Sequence, residues 1–401
     1  MNRFKLVILC ISVFIYATNI LAQDNANQDE PLKFEDKIML PATSVKDQHR
    51  SGTCWAFAGI SFIESEMLRM KKAEVDLSPM FIVYYTYQEK ARLYVRMHGS
   101  VNFGAGGILH DVTDMIKKYG IVPNEVYQGL NYGEEKHVHG ELDELLKNQV
   151  DAIIKNPNKK LSPVWNDLIS STLNNYLGVI PEKFEYKGKQ YTPQSFARDY
   201  VGLNMDDYVE ISSYTHHPFY SKFILEVPDN WAWGEVYNVP MNELEEIIDH
   251  SLKNGYSVGW GADVSEKGFL TSNKGVAMVP VKKTEEMSGA EISRWENLSD
   301  RQKDEELLRL TGKVNELEIT QELRQVEFDN YQTTDDHSMH IVGIATDQYG
   351  KEYYKVKNSW GKYSPFDGFF YASKAYVNYK TMSIMVHKNS IPQNIKIKLG
   401  L

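Results

Sequence analysis

The chain has 401 residues, of which 42% are apolar and 12% aromatic, and its formal net charge is −10. This composition is typical of a folded globular protein and excludes a disordered chain. The negative charge argues against nucleic acid or an anionic membrane as the partner. The length allows two lobes, or one pair of lobes with a large insert.

The first 22 residues have the pattern of a secretory signal peptide. Arg3 and Lys5 give a basic start, an apolar stretch covers residues 6–15, and the segment ends on the small residue Ala22. The apolar stretch is too short to span a bilayer comfortably. We therefore expect residues 1–22 to be cleaved and the protein to be secreted or periplasmic, with a retained anchor as the alternative.

The chain contains two cysteines, Cys10 and Cys54. Cys10 lies inside the predicted signal, and an apolar core of only a few residues before it argues against a lipoprotein signal. The mature protein would keep one thiol and form no internal disulfide. Cys54 is therefore either a buried structural residue or a reactive group.

The elements after the signal are predicted from periodicity and from residues that begin or end them. Residues 23–40 are acidic and expected to be loose. Ser78 and Pro79 are typical of a helix start, and Gly120 of a helix end. The pattern predicts helices over 53–72, from 78 onward, and over 108–119, 141–156, 241–254 and 296–327. It predicts strands over 256–260, 337–344 and 352–357, the last two joined by a turn at 347–351.

Four side chains in two distant segments could together carry out nucleophilic catalysis by a thiol. Cys54 falls at the first turn of a predicted helix, where the helix dipole favours a thiolate. A histidine such as His337 can hold that thiolate and later donate its proton, and the amide oxygen of Asn358 can orient the imidazole. The amide of Gln48 and the backbone N–H of Cys54 can donate to an oxyanion.

These segments resemble those of papain-like cysteine peptidases. Gln48 precedes the run Cys54-Trp55-Ala56-Phe57-Ala58 by six residues, His337 precedes Gly343 by six, and Asn358 opens an Asn-Ser-Trp-Gly turn. Four features are similar to those of the bleomycin hydrolase and aminopeptidase C branch: the insert, the lack of disulfides, and the sequence segments 118–123 and 319–325. The resemblance covers most of residues 40–400 and is weak within the insert.

The resemblance implies an α+β fold with two lobes. A helical left lobe over 41–129 would carry the nucleophile helix, a mainly helical insert would cover 130–245, and a β-barrel-like right lobe over 246–401 would carry His337 and Asn358. The family spacing to Gly343 selects His337 over His340, which is then a packing or surface residue. No cofactor or metal is implied.

The resemblance also gives candidate substrate-binding residues and a reaction. The backbone of Gly106 and Gly107 would pair with an extended peptide, Trp55 and Trp360 would line the site, and Trp360 would shield the Asn358–His337 bond. The reaction would be peptide hydrolysis through a thioester acyl-enzyme, and the protein would be an aminopeptidase of the bleomycin hydrolase type. Acyl transfer to a non-peptide substrate and peptide binding without turnover remain alternatives.

Two departures from the family bear on specificity. Familiar members are cytoplasmic, and their C-terminal arm lies along the cleft and restricts it to free N-termini. Here only nine residues follow Pro392, which favours an open cleft and leaves endopeptidase or dipeptide-releasing action as alternatives. A homo-hexamer is implied by resemblance alone.

Histidine pairs outside these segments raise the question of metal binding. His137 and His139, and likewise His216 and His217, have no cysteine or carboxylate at ligand spacing, so we interpret them as surface residues.

Overall fold

The computed structural model describes residues 30–283 and 287–401, and the predicted signal peptide with Cys10 lies outside them. Helices cover Cys54–Arg69, Pro79–Arg96, Leu109–Tyr119, Gly140–Ile154, Trp165–Leu177, Met241–Lys253, Gly289–Glu296, Asp300–Leu307, Gln321–Asp329, Lys374–Lys380 and Gln393–Leu399. Strands are β1 Phe34–Met39, β2 Phe184–Tyr186, β3 Lys189–Tyr191, β4 Tyr208–Ser212, β5 Lys222–Ile224, β6 Glu235–Asn238, β7 Val258–Ala262, β8 Phe269–Leu270, β9 Val276–Ala277, β10 His337–Asp347, β11 Glu352–Lys357, β12 Phe369–Ser373 and β13 Thr381–His387.

Most strands belong to one large sheet. Its order is β5-β6-β4-β13-β7-β10-β11-β12-β9-β8, with β1 pairing to β10, and most pairs are antiparallel. The hairpin of β10 and β11 confirms the predicted pair of strands, with His340 opposite Lys357. Because β10 is central and buried along nearly its whole length, its first residue, His337, is held on a rigid element.

The predicted helix boundaries in the left lobe are confirmed where a capping residue was recognised. The Ser78 side chain accepts a hydrogen bond from the Phe81 backbone N–H, and Pro79 is the first helical residue. Gly120 ends the third helix with a φ of 83°, in the left-handed region that favours glycine.

The two largest hydrophobic cores among the described residues both include side chains of the insert. The first core joins the left lobe to apolar side chains of the insert as far as Tyr208, and it also includes Met385 of β13. The second lies between the large sheet and helix Met241–Lys253 and includes Trp260 and Tyr354. Within the insert, helices Gly140–Ile154 and Trp165–Leu177 pack in the first core, while strands β4, β5 and β6 extend the large sheet.

Two segments differ from expectation. The segment expected to be loose contains β1, which pairs with β10 so closely that a Cβ on Gly343 would overlap the Ile38 carbonyl. The region 296–327 is not one helix, because it breaks after Leu307 and helix begins again at Gln321. Near its start, helix Gly289–Glu296 ends and Ser299 caps the short helix Asp300–Leu307.

Within the two described ranges, no helix combines the length and apolar character needed to cross a membrane.

Candidate active site

Cys54 is the first residue of a long helix whose opening turns are buried in the left lobe. The Thr53 carbonyl accepts from the backbone N–H groups of Ala56 and Phe57, and the helix begins one residue after the predicted start at 53. The Cys54 side chain is unpaired and partly exposed. The thiol therefore sits at the positive end of the helix dipole while a reagent can still reach it.

A buried contact between the lobes aligns this helix with β10. Two turns after Cys54, Ser61 Oγ lies 2.9 Å from Nδ1 of His340 and accepts a 2.8 Å hydrogen bond from Lys357 Nζ. His340 is fully buried, and burial with the neighbouring ammonium lowers its pKa well below the usual range. His340 is thus the packing residue of the pair, as predicted, and it helps to place His337 near Cys54.

His337 is held by Asn358 and covered by an indole. Its Nε2 lies 2.7 Å from Asn358 Oδ1, and because that oxygen only accepts, Nε2 carries the proton and Nδ1 is left free to accept one. The amide is fixed in turn, since its Nδ2 donates to the Tyr363 hydroxyl at 2.9 Å. The Trp360 ring lies against the imidazole with 4.6 Å between centroids.

Gln48 joins the left lobe to the turn that follows Asn358. Its backbone N–H donates to the Ser359 carbonyl at 2.8 Å, and its Oε1 accepts from Ser359 Oγ at 2.7 Å. With Oε1 occupied, the Nε2 group remains the available donor. The backbone N–H of Cys54, at the helix start, likewise lacks an intrahelical acceptor. These two donors satisfy the requirement for an oxyanion site.

The thiol and the imidazole each favour the neutral form when considered alone. Burial raises the pKa of Cys54 to about 12; a backbone hydrogen bond from Ser338 opposes this, and the carboxylates of Asp335 and Asp229 add to it. Burial lowers the pKa of His337 to about 4, opposed by the bond to Asn358. A thiolate is therefore favourable here only as an ion pair with the imidazolium.

Two left-lobe side chains support the loop that contains Gly104, Gly106 and Gly107, called here the glycine loop. Trp55 is buried, its Nε1 donates to the Ala105 carbonyl at 3.0 Å, and a Cβ on Gly107 would lie 2.8 Å from its ring. Lys90 Nζ donates to the carbonyls of Gly104 and Gly106. The buried indole thus positions the loop and offers little surface for the direct substrate contact expected of it.

The surface interpretation of the first histidine pair is wrong for one member. His139 is fully buried, neither ring nitrogen has a hydrogen-bond partner in the described part of the chain, and burial lowers its pKa to about 3. The second pair does have a nearby carboxylate, because Glu226 lies 3.0 Å from His216 Nε2 and 2.7 Å from His217 Nε2. These three side chains could hold a metal, since their ligand atoms lie within 4.8 Å of one another. Loop folding creates this proximity, which spacing did not reveal.

Three residues that the sequence did not single out lie at the site. Ser359 and Tyr363 follow Asn358 closely in the chain, so their position after the orienting amide could have predicted them as site residues. Asp229 is remote in sequence, yet its carboxylate lies against Gly106, where a Cβ would overlap it. No local pattern indicates this contact.

The fold is that of a papain-like cysteine peptidase. The profile of the Peptidase C1-like family matches residues 15–400. The chain therefore belongs to the Peptidase C1-like family, which confirms the predicted family and fold, and it is a cysteine-type peptidase.

Similar proteins include two curated relatives and one solved structure. Aminopeptidase G of Lactobacillus delbrueckii subsp. lactis is 25% identical over 395 residues, covering 88% of this chain and 83% of the relative. Aminopeptidase C of Streptococcus thermophilus is 23% identical over 403 residues, covering 89% and 83%. The structure of pepw from Lactobacillus rhamnosis superposes with a TM-score of 0.68 at 21% identity, covering 94% of this chain and 86% of that one.

Proposed function

We propose that the protein is an aminopeptidase that removes residues from the free N-termini of peptides. The observation that carries this proposal is the insert segment 228–231, which lies on the glycine loop of the left lobe. Asn102 Nδ2 donates to the Pro228 carbonyl at 3.1 Å, and Trp231 Nε1 donates to Asp111 Oδ2 at 3.0 Å. The Asp229 carboxylate between these contacts covers Gly106.

Because the insert segment 228–231 covers part of the glycine loop, it limits the length of peptide that can lie along this loop. In the family that the sequence resembles, the backbone of this loop pairs with an extended substrate. A side chain lying on Gly106 takes up part of that path, so a peptide that begins at the cleaved residue fits better than one that continues past it. The names of the two curated relatives agree with this exopeptidase action.

In the proposed reaction, Cys54 Sγ attacks the carbonyl carbon while its proton passes to Nδ1 of His337. Gln48 Nε2 and the Cys54 backbone N–H donate to the oxyanion. The peptide C–N bond breaks, the leaving amine takes the proton from His337, and a thioester remains on Cys54. Water then loses a proton to His337 and attacks the thioester, which releases the amino acid and restores the thiol. Asn358 keeps the imidazole in the required tautomer throughout.

The test compares leucyl-aminomethylcoumarin with its N-acetylated form and with glycyl-leucyl-aminomethylcoumarin. We expect the free leucyl substrate to be cleaved at least about 100-fold more efficiently than the acetylated one, by kcat/KM. The Cys54→Ala variant is the control for contaminating peptidases. Equal cleavage of the acetylated substrate would indicate an endopeptidase, and preference for the glycyl-leucyl substrate would indicate dipeptide release; either result contradicts the proposal.

We also propose that the protein is exported, on the basis of the signal-like pattern in residues 1–22, and that it assembles as a hexamer, on the basis of the family resemblance. Expression of the full chain in a bacterial host, followed by fractionation and N-terminal sequencing, tests export. An intact N-terminus in the cytoplasmic fraction would contradict it. Light scattering tests assembly, and a mass near the 46.2 kDa of one chain would contradict the hexamer.

A further inference from the structure

Two carboxylates near the candidate nucleophile have no counter-charge in contact. Asp229 and Asp335 both act on the Cys54 thiol. Within residues 30–283 and 287–401, Asp229 makes no hydrogen bond or ion pair, and Oδ2 of Asp335 is buried without a hydrogen-bond partner. An unpartnered buried carboxylate oxygen is costly, and such groups point to a missing ligand.

The two carboxylates come from segments far apart in the chain. Asp229 belongs to the insert and lies on Gly106 of the left lobe, whereas Asp335 precedes His337 on the right lobe by two residues. Burial and the Asp229 carboxylate raise the pKa of Asp335 well above the usual range. The charged forms of the two acidic groups therefore disfavour one another until a cation lies near both.

The nearest basic side chain does not supply this cation. Lys90 lowers the pKa of Asp229, opposing the effect of burial, but its Nζ is bound to the carbonyls of Gly104 and Gly106 below the loop. It makes no ion pair with Asp229 among the described residues. Asp229 is partly exposed and has no cation of the described chain in contact, so a bound peptide could bring the matching positive group.

We propose that Asp229, assisted by Asp335, binds the α-ammonium group of the peptide's first residue and so selects free N-termini. The inference rests on the proposed aminopeptidase function and assigns its specificity to one side chain. An ammonium group fits because it is compact, cationic and carries three donors, enough to serve both carboxylates. Asp229 also lies on the glycine loop, to which the resemblance assigns substrate pairing, so a peptide that begins at this point places its α-ammonium at the carboxylate.

The test uses Asp229→Asn, which keeps the shape and removes the charge, with Glu235→Gln as a matched control. Glu235 is an exposed carboxylate of the same insert. For leucyl-aminomethylcoumarin we expect Asp229→Asn to lower kcat/KM at least about 30-fold, mainly through KM, and Asp335→Asn to lower it less. Glu235→Gln should behave as wild type. The acetylated substrate, which lacks the ammonium, should be cleaved no less well by Asp229→Asn than by wild type.

Alkylation of Cys54 by iodoacetamide distinguishes a lower kcat/KM of Asp229→Asn caused by the lost charge from one caused by misfolding. Since the Asp229 carboxylate raises the pKa of the thiol, the variant should be alkylated as fast as wild type or faster. Wild-type cleavage of the leucyl substrate by Asp229→Asn would overturn the inference. So would loss of wild-type activity in EDTA that Ca²⁺ restores, because the carboxylates would then hold a metal. Failure of the aminopeptidase proposal itself would be seen in the wild type, as equal cleavage of the free and acetylated substrates.

Discussion

Ser359 Oγ donates a 2.7 Å hydrogen bond to Oε1 of Gln48, and the Ser359 carbonyl accepts from the Gln48 backbone N–H. This double contact joins the segment before the nucleophile helix to the turn after the orienting asparagine. It leaves the Gln48 amide with its donor group free. The oxyanion donor of one lobe is therefore oriented by a residue of the other.

Gln48→Ala is expected to lower kcat about 10²- to 10³-fold, because the transition state loses one oxyanion donor. Ser359→Ala should give a smaller loss, about tenfold, since Gln48 keeps its donor but loses its orientation. Both variants should bind substrate with a KM close to that of wild type. Steady-state kinetics on leucyl-aminomethylcoumarin measures the effects on kcat and on KM separately. A change confined to KM would contradict the assigned role.

Asn358→Ala is expected to reduce kcat/KM by about 10- to 100-fold and to leave the fold intact. The imidazole of His337 loses the acceptor for its Nε2 proton, so the tautomer with Nδ1 free is no longer enforced. Asn358→Asp tests the same position with an acceptor retained and should restore part of the activity. If both variants were equally impaired, Asn358 would matter for the turn and not for the imidazole.

The pH dependence of Cys54 alkylation should report the thiol and imidazole as a pair. His337 must be unprotonated to accept the thiol proton, and its pKa is lowered to about 4 by burial. We expect the iodoacetamide rate to rise around pH 4, well below the usual imidazole range. In His337→Ala the thiol has no internal base and its pKa is raised to about 12, so alkylation near pH 7 should become very slow. Rapid alkylation of that variant at pH 7 would contradict the pairing.

Protein stability should fall as pH rises through the titration of His110. Burial opposes protonation of this histidine, but the Glu210 carboxylate at 2.7 Å outweighs it and raises the pKa to about 9. The ordinary imidazole value is about 6.5, so the ion pair contributes fully below that pH and is lost between about 6.5 and 9.

Urea unfolding of wild type and His110→Gln at pH 6 and pH 9.5 measures this contribution. The difference in the free energy of unfolding between the two proteins should be about 2 to 3 kcal/mol larger at pH 6. Cys54→Ala in both backgrounds would remove thiol oxidation at high pH. A difference that stays constant with pH would show that His110 is neutral in the folded protein.

The sequence by itself determined the parts whose signals are local. Ser78 with Pro79 predicted a helix start, Gly120 a helix end, and the run around Cys54 a nucleophile helix, because capping and dihedral preferences act within a few residues. His337 and Asn358 were found through motif spacing on one hairpin. The family profile and the solved neighbour confirm the fold that these motifs indicated.

Only the tertiary structure decided which distant groups meet. Asp229 reaches Gly106 across more than a hundred residues, Ser61 reaches His340 across 279, and Glu226 joins two histidines through a loop. The same holds for β1, whose acidic residues suggested a loose segment until pairing with β10 satisfied its backbone. Such contacts depend on the relative placement of lobes and insert, which the burial of two separate cores sets and which no short stretch of chain encodes.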